Sequence, residues 1–97
     1  MKVLLVCAGG FSTTFLMNKL KSYAEENGIE FEIAARGLGN FELVADEYDC
    51  ILMGPQVGYQ MDIVSEKAPG KPVAVIPPQD YGIGNCENIF KLIDSLL

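Results

Sequence analysis

Residues 3–14, VLLVCAGGFSTT, run from an unbroken apolar segment through one cysteine into glycines and hydroxyl side chains. An apolar segment of this length that ends at glycines predicts a buried strand, and the hydroxyl cluster before Phe15 predicts the first turn of a helix. Ser12 or Thr13 is expected to cap that helix. Cys7 is therefore expected on the turn between the first strand and the first helix.

Three further predicted strands repeat this alternation of strand and helix. Residues 29–34 alternate strictly between apolar and polar side chains, which predicts a half-exposed strand near a sheet edge, and residues 50–53 and 72–76 are predicted to be buried strands. The later predicted helices are a short one ending at Val44, one over residues 57–67 and one capped by Asn85. Residues 36–40 and 77–82 are predicted to be loops. The apolar faces of the first and last helices are predicted to be Leu16, Met17, Leu20 and Ala24, and Ile89, Phe90, Ile93 and Leu96.

Alternating strands and helices require crossover connections, which produce parallel strand pairs. The predicted fold is α/β, a doubly wound open sheet of four parallel strands in the order 2-1-3-4, flavodoxin-like, with helices on both faces. In such a sheet, ligands bind at the carboxyl ends of the strands. Residues 1–97 are expected to form one domain, since 97 residues suffice for a single core.

Composition excludes several classes of function. The chain carries 7 basic and 13 acidic residues, for a net charge of -6, and it contains no histidine. The scattered basic residues argue against a nucleic-acid partner, and the missing histidine excludes Ser-His-Asp and Cys-His catalysis within this chain. No segment has the length of a membrane span or of a signal-peptide core, so a cytoplasmic protein is expected.

The three cysteines are expected to play different roles. Cys7, Cys50 and Cys86 lie far apart without a CxxC pair, which argues against zinc, a thioredoxin-type redox pair and a disulfide framework. Cys50 opens an apolar strand and is predicted to be a core residue. Cys86 follows a single glycine at a helix start and is predicted to be structural. No metal or cofactor is expected.

The loop after Cys7 is suited to an anion. A glycine-rich loop that leads into a helix N-terminus directs several backbone N–H groups to one point, and the helix dipole adds to their field. The same field stabilises a thiolate, so Cys7 is predicted to be a nucleophile beside a phosphate site. The predicted phosphate-binding residues are Ala8, Gly9, Gly10, Phe11, Ser12 and Thr13. The competing interpretation is a small apolar cysteine that ends a buried strand.

Two kinds of thiol chemistry use such a loop. A phosphatase that forms a phosphocysteine has the pattern C-x5-R, in which the arginine clamps the phosphoryl oxygens. Thr13 occupies the arginine position here, and Arg36 is the only arginine. A phosphocysteine on this loop should therefore persist and be passed on. Asp80 is a possible leaving-group acid, but a turn residue is favoured.

The sequence resembles the IIB component of the bacterial phosphoenolpyruvate-dependent sugar phosphotransferase system, in its lactose, cellobiose and chitobiose class. The resemblance rests on the CAGGFST loop after the first strand, on residues 52–59, LMGPQVGY, on residues 71–73, KPV, and on Tyr81-Gly82. It covers essentially the whole chain. Ala8 and Gly9 stand where relatives carry Ser-Ala, which leaves the backbone cradle intact but removes one hydroxyl.

This resemblance implies a phosphoryl carrier. Cys7 would accept the phosphoryl group from a phosphohistidine on a separate IIA protein and pass it to a cellobiose-, chitobiose- or lactose-type sugar bound by the membrane IIC permease. The protein would then be cytoplasmic and transiently at the inner face of the membrane. Two alternatives remain open: a low-molecular-weight phosphatase or arsenate reductase-like enzyme, and a non-covalent phosphate- or flavin-binding module.

Several residues near the predicted site have two readings. Ser12 and Thr13 either bind phosphate through their hydroxyls or only cap the helix. Gln56 is predicted to cap its own helix rather than to bond to the phosphate loop, and Arg36 to be a solvated loop residue. Tyr59 and Tyr81 are predicted to be packing or docking residues. Phe11 is either a partner contact or a buried staple.

Overall fold

The computed structural model describes residues 1–7 and 11–97, except for the side chains of Phe11 and Ser12. Its four strands are β1 Lys2–Val6, β2 Glu32–Arg36, β3 Cys50–Met53 and β4 Val73–Val75. They form one sheet in the order β2-β1-β3-β4, and every strand pairing in this part of the chain is parallel. The predicted strand order is therefore confirmed.

The strand register aligns the carboxyl ends of the strands. Val6, the last residue of β1, lies opposite Arg36 of β2 and Met53 of β3, and Met53 lies opposite Val75 of β4. The next residue along β1, Cys7, therefore emerges at the same end of the sheet as the loops that follow the other strands. We call this end the carboxyl edge, and the opposite end the amino edge.

Helices cover both faces of the sheet. They are α1 Phe11–Glu26, α2 Met61–Lys67, α3 Pro78–Ile83 and α4 Cys86–Leu96, and 3-10 segments span Phe41–Leu43, Ala45–Glu47 and Pro55–Gln60. Because strand side chains alternate between faces, Val3 and Leu5 pack with α1 and α4, whereas Leu4 and Val6 pack with α2 and the 3-10 segments. Each face thus has its own apolar core.

The first and last helices agree with the sequence prediction. Leu16, Leu20 and Ala24 are buried on α1, with Met17 partly buried against the same core. α1 ends at Glu26, and Gly28 follows with a φ of +65°. Asn85 caps α4, since its side-chain oxygen accepts the N–H of Asn88 at 3.1 Å. The apolar faces and the caps together fix these two helices on one side of the sheet.

Three predicted boundaries are wrong. β2 covers residues 32–36 instead of 29–34, because the Ile29 N–H closes α1 on the Ala24 carbonyl and the Phe31 ring packs against Phe90. The short helix predicted up to Val44 is a pair of 3-10 turns that bury Phe41 and Ala45. The helix predicted over residues 57–67 begins as a 3-10 segment, and only residues 61–67 are α-helical.

The loop predicted over residues 77–82 is also wrong, because most of it is helix α3. Pro78 occupies the first turn, where a fixed φ suits the helix and a missing N–H needs no partner. Gly84 ends the helix with a φ of +63°, and its N–H donates to the Tyr81 carbonyl at 3.3 Å. α3 lies at the carboxyl edge and carries Asp80 and Tyr81. Among the described residues no helix has the length and apolarity to cross a membrane.

Candidate active site

Cys7 is held by backbone hydrogen bonds at the carboxyl edge. Its N–H donates to the Arg36 carbonyl at 3.2 Å, and on the other side of β1 the Gly54 N–H donates to the Val6 carbonyl at 2.9 Å. These bonds extend the pairing of β1 with both neighbours by one residue. The Cys7 side chain is only 3% exposed. Its sulfur atom therefore has a fixed position at the point where β1 gives way to the loop before α1.

The hydroxyl of Thr13 meets that sulfur atom. Thr13 Oγ1 donates to Cys7 Sγ at 3.2 Å, and Thr13 is buried. The prediction that Ser12 or Thr13 caps α1 is wrong, because the helix begins at Phe11 and both residues lie inside its first turn. The Thr13 side chain instead links the first turn of α1 to Cys7, the residue after β1. The Ser12 side chain lies outside the described residues.

Tyr81 of α3 continues this contact. Its hydroxyl lies 3.2 Å from Thr13 Oγ1, and the residue is buried. The prediction of Tyr81 as a packing or docking residue misses this polar role, because only the helix α3 brings the hydroxyl to Thr13. The Tyr81-Gly82 pair was the sequence feature that singled out this residue, but it does not indicate which atom the tyrosine hydroxyl contacts.

Gly54 leaves room beside Cys7. A Cβ atom at this position would lie 3.4 Å from Cys7 Cβ, 3.7 Å from Tyr81 Cε2 and 3.0 Å from Gln56 Oε1. Gly54 holds the cap position of the 3-10 segment, and Gln56 lies inside that segment. The prediction that Gln56 caps its own helix is therefore wrong. Gln56 is exposed, and its Oε1 lies close to the same Gly54 position as Cys7 Cβ.

Arg36 and Asp80 have structural partners. The Arg36 guanidinium donates to its own neighbour, the Ala35 carbonyl, at 2.8 Å in an exposed position, as expected of a solvated arginine. Asp80 is buried, and its carboxylate accepts the side-chain N–H of Asn88 at 3.1 Å. This bond ties α3 to α4 and gives the carboxylate a structural partner. Asp80 lies in a helix and not in the predicted turn.

The other two thiols lie in different surroundings. Cys50 is completely buried, and burial together with the Asp49 carboxylate raises its pKa to about 11. The pKa of Cys86 is also raised, first by burial, and its thiol donates to the Gly84 carbonyl at 3.5 Å. Both thiols are therefore held in the neutral form at neutral pH. The predictions of Cys50 as a core residue and Cys86 as structural agree with this environment.

Part of the predicted phosphate site cannot be placed. Ala8, Gly9 and Gly10 lie outside the described residues, as does the side chain of Phe11. The first turn of α1 does begin at Phe11, four residues after Cys7, and the first N–H groups of an α-helix have no partner within their own helix. An anion beside Cys7 Sγ would therefore meet the positive end of the α1 dipole.

Exposed apolar side chains border this region. Phe15 is 56% exposed and lies two positions after Thr13, and Ile83 is 67% exposed and lies two positions after Tyr81. Lys19 joins them, since its Nζ donates to the Ile83 carbonyl at 3.1 Å and lies 5.6 Å from the centre of the Phe15 ring. Tyr59, near the end of the 3-10 segment Pro55–Gln60, is exposed, and its hydroxyl accepts a hydrogen bond from Gln60.

Comparisons with known proteins agree with this geometry. Residues 2–92 match the family model of the PTS system, lactose/cellobiose-specific IIB subunit. The galactose-specific EIIB component of Lactococcus lactis subsp. cremoris is 32% identical, over 98% of this chain and 94% of its own length. The lactose-specific EIICB component of Streptococcus mutans is 38% identical over 55 residues, which are 57% of this chain and 10% of that protein.

A solved structure is similar along nearly the full chain. The solution structure of the cellobiose-specific phosphotransferase IIB component from Borrelia burgdorferi superposes with a TM-score of 0.81 at 32% identity, covering 99% of this chain and 91% of that one. The sheet order, the family match and this superposition all agree. The chain belongs to the lactose/cellobiose-specific IIB family of the sugar phosphotransferase system.

Proposed function

We propose that Cys7 is the residue that carries the phosphoryl group. Membership of the family makes the chain a phosphoryl carrier in sugar uptake. The observation that supports Cys7 as the carrier is the hydrogen bond from Thr13 Oγ1 to Cys7 Sγ, at the carboxyl edge and before the first turn of α1. Burial raises the pKa values of Cys50 and Cys86, so they are poorer nucleophiles than an ordinary thiol. Residues 1–97 act as one IIB domain.

Two transfers make up the reaction. In the first, Cys7 Sγ attacks phosphorus in line; the S–P bond forms as the N–P bond of a phosphohistidine breaks, and the electron pair returns to the imidazole nitrogen. In the second, a sugar hydroxyl attacks phosphorus, and Sγ leaves with the S–P electron pair as a thiolate while the hydroxyl proton passes to a base. Positioning and electrostatic stabilisation carry most of both steps.

The backbone of residues 8–13 holds the phosphoryl oxygens in this proposal. N–H groups of Ala8, Gly9, Gly10, Phe11, Ser12 and Thr13 surround the group during both transfers. The start of α1 at Phe11 supports this arrangement, because the first N–H groups of a helix have no acceptor within their own helix and the positive end of its dipole lies close to Cys7. The position that holds arginine in a C-x5-R loop is Thr13, so water attack on the phosphocysteine lacks a cationic clamp and the intermediate lasts long enough to meet an acceptor.

The partners are a phosphorylated IIA donor and a membrane IIC permease. The IIC partner is supported by the EIICB relatives, in which a similar segment is part of a longer lactose-specific protein. The IIA donor is implied by the family resemblance, and the lack of histidine in residues 1–97 fits a phosphohistidine that lies outside them. The protein works in the cytoplasm and docks transiently at the inner face of the membrane. Its sugar is of the cellobiose, chitobiose or lactose type.

Phosphosugar formation tests this function. Membrane vesicles that contain a IIC permease, a IIA protein, the general phosphotransferase proteins and phosphoenolpyruvate are incubated with cellobiose, chitobiose or lactose. Adding this protein is expected to give sugar phosphate for at least one of the three, and Cys7→Ser is expected to give none. Cys86→Ser is the matched control and should retain the activity.

A second assay addresses the enzyme alternative. Sustained hydrolysis of an aryl phosphate by the isolated protein, lost in Cys7→Ser and accompanied by no sugar phosphorylation, would overturn the carrier proposal in favour of a phosphatase. The expected result is at most one turnover per Cys7, because the loop lacks the arginine that promotes hydrolysis.

A further inference from the structure

We propose that Tyr81 is a positioning residue that acts through Thr13 to keep a hydrogen-bond donor on Cys7 Sγ. The inference rests on the proposed function in one respect: Sγ is taken as the reacting atom. It is carried by the chain of contacts from Tyr81 Oη to Thr13 Oγ1 and from Thr13 Oγ1 to Cys7 Sγ, each 3.2 Å long and each between buried residues.

The number of available protons indicates which group donates in each of these two hydrogen bonds. A threonine hydroxyl has one proton to donate, and Thr13 donates it to Cys7 Sγ. We therefore assign the proton in the contact between Thr13 and Tyr81 to the phenol, so that Tyr81 donates to Thr13 Oγ1. A threonine inside a helix otherwise tends to donate to a carbonyl of its own helix. The bond from Tyr81 orients the Thr13 hydroxyl so that its proton faces the sulfur.

The tyrosine is well anchored for this purpose. Its N–H donates to the Pro77 carbonyl at 3.0 Å, and the next helix turn ends at Gly84 in a left-handed conformation. Asp80, its neighbour, is bound to Asn88 of α4. The ring passes close to the position of a Cβ on Gly54, so a larger residue there would press on it. The phenol therefore reaches Thr13 from an element independent of β1 and α1.

The Thr13 hydroxyl has a different role in each state of Cys7 Sγ. A thiolate is a strong acceptor, and the Thr13 hydroxyl fixes its orientation for attack on phosphorus. Once the S–P bond has formed, the sulfur is a weak acceptor, and the hydroxyl is free to donate to a phosphoryl oxygen. When the S–P bond breaks toward the sugar, the same hydroxyl stabilises the charge that returns to sulfur. The Thr13 proton is donated throughout and never transferred.

Alkylation kinetics test the two hydrogen bonds from Tyr81 through Thr13 to Cys7 without any partner protein. In a Cys86→Ser background, the rate of Cys7 alkylation by iodoacetamide at fixed pH is followed by peptide mass mapping. Tyr81→Phe and Thr13→Val are each expected to lower the rate by about three- to tenfold, the effect of one ordinary hydrogen bond, because the thiolate loses a donor. The double variant should match Thr13→Val alone, because in this proposal the effect of Tyr81 on the sulfur passes through that hydroxyl. Thr13→Ser, which keeps a hydroxyl, should restore the rate to within about twofold and should again respond to Tyr81→Phe.

Tyr59→Phe is the matched control, since it removes an exposed tyrosine hydroxyl that bonds only within its own segment in the described structure. It should leave the rate unchanged. Additive effects of Tyr81→Phe and Thr13→Val, or no effect of Tyr81→Phe in a folded protein, would overturn the proposal. If the effects of Tyr81→Phe and Thr13→Val are non-additive but the protein never takes up phosphate, only the proposed function is contradicted. If the protein is phosphorylated normally but the two effects are additive, only the role of Tyr81 is contradicted.

Discussion

Two buried thiols at opposite edges of the sheet differ in the group that faces the sulfur. Cys7 follows the last residue of β1 at the carboxyl edge, and Cys50 begins β3 at the amino edge, opposite Val3. Their exposed fractions are nearly equal, 3% and 0%. Cys7 accepts a hydrogen bond from the Thr13 hydroxyl, whereas Cys50 lies beside the Asp49 carboxylate, and burial with that negative charge raises its pKa to about 11.

This comparison separates burial from reactivity. Burial alone disfavours the charged form of a thiol, as Cys50 illustrates. A buried thiol serves as a nucleophile only where donors face it, and the carboxyl edge of a parallel sheet supplies them through the N-terminus of the helix that follows. The amino edge presents helix C-termini and their carbonyl groups. The fold thus makes one edge suitable for anion chemistry and the other for packing.

The largest expected difference is in alkylation. At pH 8 a thiol with a pKa of about 11 is ionised in roughly one molecule in 1,000, so folded Cys50 presents almost no thiolate. We expect Cys7, whose sulfur faces the Thr13 hydroxyl, to react with iodoacetamide faster than Cys50 by on the order of 100-fold, measured by mapping modified peptides over time. Alkylation in denaturant provides the control, since the two rates should then converge. Equal rates in the folded protein would remove the distinction between the two edges.

The second prediction concerns stability at high pH. The Cys50 pKa rises from 9.0 in the unfolded chain to about 11 in the folded one, so the neutral thiol contributes fully below pH 9. Between pH 9 and pH 11 the unfolded chain loses its proton while the folded chain keeps it, and the free energy of unfolding falls with rising pH. The two-unit difference corresponds to roughly 2–3 kcal/mol.

Chemical denaturation at pH 8 and at pH 11 measures this loss. Cys50→Ala has no thiol to titrate and serves as the control, because lysine and tyrosine ionisation affects both proteins alike. The decline should be smaller in Cys50→Ala by that amount. An identical decline in both proteins would show that the amino-edge thiol is not held neutral by its surroundings.

A smaller effect should come from the surface around each edge. Phe15 is exposed beside the carboxyl-edge site, whereas Leu97 follows α4, which runs from the carboxyl edge back to the amino edge; their exposed fractions are 56% and 60%. If a IIA donor reaches Cys7 across the surface that Phe15 and Ile83 form, Phe15→Ser should raise the KM for phosphorylated IIA by about tenfold, the effect of one central apolar contact. Leu97→Ser should leave it unchanged.

Steady-state phosphoryl transfer, with the IIA concentration varied, measures this KM. Circular dichroism of both variants establishes that the fold is intact. An equal rise in KM for the two variants would mean that the donor does not select the carboxyl edge.

The fold was largely predictable because local patterns determine it. The residue range of β3 and the strand order agree with the prediction, since a continuous apolar run and crossover connections leave few alternatives. The β2 boundary was wrong because pairing with β1 decided it against the local alternation of residues 29–34. α3 was missed because a six-residue helix has no apolar period to detect.

The site was only partly predictable for a related reason. Cys7 and Thr13 lie six residues apart in one motif, so both were predicted at the site, but the bond between Thr13 Oγ1 and Cys7 Sγ was not. Tyr81 is 68 residues from Thr13 and belongs to an element that the sequence did not predict. Its hydroxyl enters the site through tertiary packing, and no local pattern encodes that contact. The same holds for the Asp80 carboxylate, whose bond to Asn88 replaces the predicted turn role.

The most direct test of the phosphocysteine is intact-protein mass spectrometry after incubation with phosphoenolpyruvate, the general phosphotransferase proteins and a IIA partner. The native chain, Cys7→Ser and Cys50→Ser are compared, with the fold of each variant verified. We expect the native chain and Cys50→Ser each to gain one phosphoryl group and Cys7→Ser to gain none. A phosphoryl group that is retained in Cys7→Ser, or lost in Cys50→Ser alone, would contradict the assignment of Cys7 as the carrier.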